Sequence, residues 1–267
     1  MTLSKRERVI KAFQLEEPDV CPVYFLGFEP SATSYQNLLA SEHFKELFIK
    51  GKTTKDNWIK SISQYRFFNC DIASIDPFIK VKPLFRRFDI DEYNKTNDLA
   101  TSIKEPFLNI TTDRDIKPGT FYINPVSGRL WEMKKHEKTG LPYPWYVKAC
   151  YSTEEIIREV WDLCGKPIDF ISDESFWNPR IWERYCEVLS PYLYPMANIW
   201  GSAMHESLLE GIGFGRASYL MRKKPEFVHE YMSEQTKYNI EVVNRLADTG
   251  VECVMYWDDL GQKGRSL

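Results

Sequence analysis

The sequence is poor in the short-range signatures of metal and redox chemistry. Its six cysteines come no closer than Cys150 and Cys164, fourteen residues apart, so it contains no CxxC or CxC knuckle. His43, His136, His205 and His229 show neither HxH nor HExxH spacing. A chain of 267 residues buries a full core without disulfide staples, and its thiols read as core residues. No apolar run approaches the roughly 18 residues of a membrane span. The opening Met-Thr-Leu-Ser-Lys-Arg-Glu-Arg has no apolar stretch behind its charges, unlike a secretory signal. Charge of one sign is also lacking. The 35 Lys and Arg against 38 Asp and Glu leave a formal −3, which removes the bulk electrostatic reason to bind nucleic acid or an anionic membrane. These absences predict a cytoplasmic globular protein.

What is present is an alternation of strands and helices. An aromatic share of 15%, with 8 Trp, argues against disorder. Ser4-Lys5-Arg6-Glu7 forms a capping box before the stripe Val9, Ile10 and Phe13. Residues 21–27 and 71–77 read as buried strands, and 41–50 and 54–68 as helices. The stretch 80–150 is polar and turn-rich. In it, residues 121–123 and 129–133 flank Asn124-Pro125-Val126-Ser127-Gly128 as a hairpin. We read this stretch as an insertion or lid without a core of its own, and Lys134-Lys135-His136-Glu137-Lys138 as a solvated turn.

Capping signals then start helices at Ser152-Thr153-Glu154-Glu155 and at Asn178-Pro179. Residues 167–171 fit a strand and 192–200 are extended. Helices follow at 204–210, 214–221 and 225–250. Residues 251–257 form the last strand, before Asp258-Asp259-Leu260-Gly261. Strands alternating with helices predict parallel pairing through right-handed crossovers, with a site at the carboxyl ends. The strands found fall short of the eight of a full barrel. The expectation is one incomplete barrel domain over 1–267 with an insertion at about 80–150.

Several segments carry a family resemblance. They are Ser4-Lys5-Arg6-Glu7-Arg8-Val9-Ile10-Lys11-Ala12-Phe13, Glu17-Pro18-Asp19, Pro22-Val23 and Cys70-Asp71-Ile72-Ala73-Ser74-Ile75-Asp76. Later come Gly201-Ser202-Ala203, Leu209-Glu210-Gly211, Lys224-Pro225-Glu226, Thr249-Gly250-Val251 and Asp258-Asp259-Leu260-Gly261. Their order and spacing resemble the uroporphyrinogen decarboxylase superfamily over about half the residues. The resemblance implies a (β/α)8 TIM barrel of that type, lacking its carboxyl-terminal strands in this chain. True uroporphyrinogen decarboxylases carry an arginine-rich segment after the first strand, where guanidinium forks grip the substrate's carboxylates. Residues 25–33 hold no basic residue and one acid, Glu29.

The resemblance therefore points to the cobalamin-dependent methyltransferase branch. It implies transfer of a methyl group, as in O-demethylation, between a small methoxylated aromatic or methylamine-type donor and a corrinoid on a partner protein. Zinc, which activates the acceptor in thiol-methylating members, would have its ligands beyond Leu267. The alternatives are a decarboxylase-like lyase and a non-catalytic truncated barrel that binds a ligand or partner. A homodimer is compatible with each.

Asp258, Asp76 and His205 are the candidate catalytic residues, as acids or proton donors where strands leave the core. Asp258 and Asp76 can equally cap a helix or fix a turn, and His205 can be a surface residue. Tyr24, Glu29, Asp259 and Trp257 are candidate substrate contacts. Trp131, Trp145, Trp177, Trp182, Trp200 and Trp257 suggest a flat apolar pocket or, alternatively, core packing. Gly211-Ile212-Gly213-Phe214-Gly215 is a weak phosphate-loop signal with no strand directly before it.

Overall fold

Ser4 opens α1 (Lys5–Phe13) as the sequence predicts. Its side chain accepts from the Glu7 N–H, and the Glu7 carboxylate accepts from the Ser4 N–H. The computed structural model describes residues 2–24, 65–75, 85–108, 117–135, 137, 140, 142–172, 178–199, 204–256, 261–262 and 265–266. The expected helix at 41–50, most of that at 54–68 and the second half of the 21–27 strand lie outside these residues. The described half, 21–24, is not part of a strand.

In chain order there follow β1 (Ile72–Ile75), β2 (Phe85–Phe88), α2 (Ile90–Thr96), α3 (Leu99–Ser102), β3 (Ile103–Leu108), β4 (Phe121–Asn124), β5 (Arg129–Lys135) and β6 (Pro142–Ala149). Next come α4 (Glu154–Cys164), α5 (Pro167–Ser172), α6 (Pro179–Leu189) and β7 (Tyr194–Ile199). The last are α7 (Met204–Ile212), α8 (Phe214–Lys223), α9 (Pro225–Ala247), β8 (Val254–Tyr256), β9 (Gly261–Gln262) and β10 (Arg265–Ser266). Among the described residues no helix is long and apolar enough to cross a membrane.

Two main sheets result. β1, β7 and β8 form a parallel sheet in the order β1-β7-β8, with Ile72 opposite Tyr194 and Ala197 opposite Val254. β2 to β6 form an antiparallel sheet in the order β3-β2-β4-β5-β6. The architecture is mixed α/β, and no closed barrel is formed among the described residues.

One expectation fails for an identifiable reason. Residues 167–171 belong to the helix α5, not to a strand. Pro167 has no N–H for a ladder but suits a first helical turn, and the Asp169 carboxylate accepts from the Lys166 N–H at 2.8 Å. The 80–150 stretch shares a core with helices outside it. Phe88, Leu99, Ile123 and Leu130 pack with Ile157, Val160 and Trp161 of α4, Leu208 and Ile212 of α7, and Phe227 and Tyr231 of α9. Most of the apolar partners come from helices much later in the chain, so local periodicity understates the packing.

The parallel sheet is packed on both faces. On one, Ala73, Ala197 and Val254 meet Trp182, Tyr185 and Leu189 of α6 and Tyr238, Val242 and Leu246 of α9. Each fully buried aliphatic side chain there contributes about 1.5–3 kcal/mol. The Tyr185 hydroxyl donates to Ala73 O at 2.8 Å and to Met196 O at 3.3 Å, bridging β1 and β7. On the other face, Ile72, Tyr194 and Met196 pack with Val9, Ile10, Tyr24, Cys253 and Met255.

Helix α1 lies across the amino-terminal ends of all three parallel strands. Lys5 Nζ donates to Cys70 O, and Arg8 pairs with Asp71, both just before β1. Arg6 stands over the ring of Tyr194, the first residue of β7, and pairs with Glu252, shortly before β8. Asp71 is 2% exposed. Its carboxylate accepts from Arg8 and from the Val23 N–H at 2.8 Å.

Removing one partner of a buried pair leaves an uncompensated charge. Asp71→Asn is expected to lower stability by about 3 kcal/mol in urea denaturation. A second arm reads pH. Hydrogen bonding to Arg8 holds the Asp19 carboxyl at about 2, below its ordinary 3.8. Its contribution is therefore full above 3.8 and lost as pH falls toward 2. The acid slope of stability in that window flattens in Asp19→Asn.

Candidate functional site

α1 covers the amino-terminal ends of the parallel strands, and the residues directly after their carboxyl ends, 76–84, 200–203 and 257–260, lie outside the described residues. Among the described residues, the face bearing Ile72, Ser74, Tyr194, Met196, Asn198, Cys253 and Met255 carries no charged side chain. Ser74 and Asn198 lie in the carboxyl-end halves of their strands. The Tyr24 hydroxyl and Ser74 Oγ are 2.7 Å apart. The Tyr24 and Tyr65 rings stack nearly parallel with centroids 6.5 Å apart, and the Tyr65 hydroxyl also bonds to Ser74. Burial pushes both phenols above their ordinary range, so they remain neutral hydroxyls. Asn198 lies one residue before the end of β7. Its Oδ1 is buried and has no hydrogen-bond donor among the described residues.

His205, half-buried, sits in the first turn of α7, which begins five residues after β7 ends. Of the predicted site residues, the structure thus places Tyr24 on Ser74 and His205 in the segment following β7. Asp76, Glu29, Trp257, Asp258 and Asp259 lie outside the described residues. Sequence reasoning missed Ser74 and Asn198. Each is the polar member of a short apolar strand, but which face a strand buries cannot be read before its neighbours are known.

Other expectations resolve differently. The described tryptophans of the predicted pocket do not share one. Trp182 is in the core beneath the parallel sheet, Trp131 packs edge-on against Tyr146, and Trp145 is 51% exposed on β6. Gly211 has a close-packing role that accounts for it without a phosphate, because a Cβ there would stand 1.7 Å from Ser127 O. The Lys134–Lys138 run is not wholly a turn. β5 extends through Lys135, and Lys134 stands over the Trp145 ring. Cys70, Cys150 and Cys186 are core thiols, whereas Cys21 is exposed. Burial pushes Cys150 up to about 12 and Cys186 to about 11, which keeps both protonated.

Among the described residues no group of three or more His, Cys, Asp and Glu side chains converges. Comparison with protein-family models finds no match, and comparison with curated protein sequences finds none either.

A buried acceptor without a donor weakens a fold, so replacing it tests what it is for. Asn198→Leu, nearly isosteric, is expected to leave stability unchanged or to raise it by up to about 1 kcal/mol in chemical denaturation. A loss beyond about 1 kcal/mol would show that the amide is part of the scaffold.

Proposed function

We propose that the chain is an enzyme of (β/α)8-barrel type, with β1, β7 and β8 as consecutive parallel strands. In this reading it moves a methyl group between a small methylated compound and a corrinoid carried by a separate protein. The donor is a methoxylated aromatic or a methylamine-type molecule. The observation that carries the reading is the face of the parallel sheet, uncharged among the described residues, with neutral hydrogen-bonding groups near its carboxyl ends. Such a face suits a small apolar ligand with one or two polar atoms and offers no fork for a polycarboxylate. The placement of α1 across the opposite ends and the parallel pairing in chain order support the same reading.

The chemistry asks little of the chain. The C–O or C–N bond of the donor breaks and its carbon passes to the corrinoid. The electron pair stays on the heteroatom, which takes a proton. His205 is assigned the proton, since an imidazole can give one near neutral pH. Asn198 Oδ1 is assigned an N–H or O–H of the bound compound, and Tyr24 with Ser74 forms the neutral wall beside it. Asp76 and Asp258 are assigned by sequence as further acids at the ends of β1 and β8. No step is assigned to zinc.

Incubating the chain with cob(I)alamin and a panel of methoxybenzoates and methylamines is expected to yield methylcobalamin, read by absorbance. His205→Ala is expected to slow transfer about 100-fold or more. No transfer across the panel, or carbon dioxide released from uroporphyrinogen instead, would overturn the assignment.

A further inference from the structure

We infer that α7 is a strut by which the antiparallel sheet sets the position of His205, with Arg129 and Glu210 as its positioning pair. The inference rests on the assignment of His205 made above. It makes the sheet a fixed wall of the site rather than the lid that the sequence suggests.

A helix leaves its last carbonyls without intrahelical partners. Here Leu209 O accepts from the Gly213 N–H at 2.8 Å, Glu210 O from the Tyr146 hydroxyl at 2.9 Å, and Gly211 O from the Tyr151 N–H at 2.9 Å. Two of these three donors belong to β6 or to the segment that follows it. The Glu210 carboxylate pairs with Arg129 Nε at 2.9 Å, and Arg129, the first residue of β5, is 2% exposed. Gly211 meets the carbonyl of Ser127 so closely that no side chain fits between them.

The surface that α7 rests on is itself immobilised. Residues 124–128, the turn between β4 and β5, are entirely buried. The Tyr151 hydroxyl donates to Pro125 O, and Gln235 Nε2 of α9 donates to Val126 O at 2.7 Å. Gly128 packs on the Tyr151 ring in a left-handed conformation that suits glycine. The helix of nine residues is anchored at its carboxyl end by backbone contact, two hydroxyl- or amide-donated bonds and an ion pair whose arginine is buried. His205 is six residues from Gly211, about 9 Å along the axis. A helix so short does not bend, so a shift at Gly211 is delivered to His205.

The test follows the imidazole directly. Imidazole-15N labelling gives one signal set per histidine, and His205→Gln assigns the one of interest. Gly211→Ala must push α7 off the turn. Tyr146→Phe removes a single hydrogen bond and serves if the first variant fails to fold. Both are expected to shift the His205 resonances and to leave those of His229, exposed on α9, in place. In the methyl-transfer assay Tyr146→Phe is expected to lower kcat about tenfold at unchanged KM. His205 signals that superimpose on the parent in both variants would overturn the strut. The two readings fail separately. Shifted His205 signals without transfer activity retire the methyltransferase assignment alone, and activity with unmoved signals retires the strut alone.

Discussion

The Asp71 carboxylate joins the parts on which the site depends. Three segments far apart in sequence meet at this one residue. Its side chain holds Arg8 of α1 and the Val23 N–H, its own N–H donates to Val23 O, and its carbonyl accepts from the Tyr194 N–H at the start of β7. A carboxylate taken out of water is tolerated only when its lone pairs are filled in good geometry. The position of α1 is therefore narrowly set, and with it the end of the sheet that is covered. The amino-terminal ends of the three strands are thereby closed by one helix.

The antiparallel sheet is bound to the rest of the molecule in a different way. Its connection to the helices includes the buried β4–β5 turn, whose N–H groups at Val126, Ser127 and Gly128 are taken up by Asn124. Backbone carbonyls at Pro125 and Val126 would be costly without donors, and Tyr151 and Gln235 supply them. A sheet attached by such a turn cannot swing out without exposing those carbonyls and the Arg129 guanidinium together. That is the physical reason to treat the insertion as a wall.

What could be read from the sequence divides by the range of the interaction. The capping box at Ser4 and the hairpin around Asn124-Pro125-Val126-Ser127-Gly128 were legible because every residue that forms them is within a few positions. The cap of α4 was legible to within one residue, Thr153 taking the place expected for Ser152. Parallel pairing was legible from the strand–helix alternation. The core of the insertion was not, because Ile123 and Leu130 are covered by Ile157, Leu208 and Phe227, which lie in helices that local patterns cannot assign to them. Pro167 misled because a short apolar run of six residues fits a strand or a helix equally, and only the Asp169 bond to Lys166 decides. In the candidate site, the sequence singled out Tyr24 and His205 by their expected position near strand ends, although 21–24 is not part of a strand. Asn198 was hidden because its significance depends on a missing donor, which no sequence displays.

The length of α9 ties these features into one argument. A helix of 23 residues is about 34 Å long, more than a three-strand sheet needs for cover. Its Tyr238, Val242 and Leu246 pack beneath the parallel sheet, whereas Phe227 and Tyr231 pack beneath the antiparallel one. The β4–β5 hairpin spans the same two cores in reverse, with Ile123 and Leu130 in the second and Val126 in the first. These two elements cross where Gln235 donates to Val126 O, a bond 0% exposed at the glutamine. Because both cores contribute to both elements, neither sheet can shift alone without opening a cavity in the other's packing. The polar residue at the middle of α9 is thus explained by a carbonyl in the opposing turn, and the fixed wall behind His205 is a consequence of how the two cores share their parts.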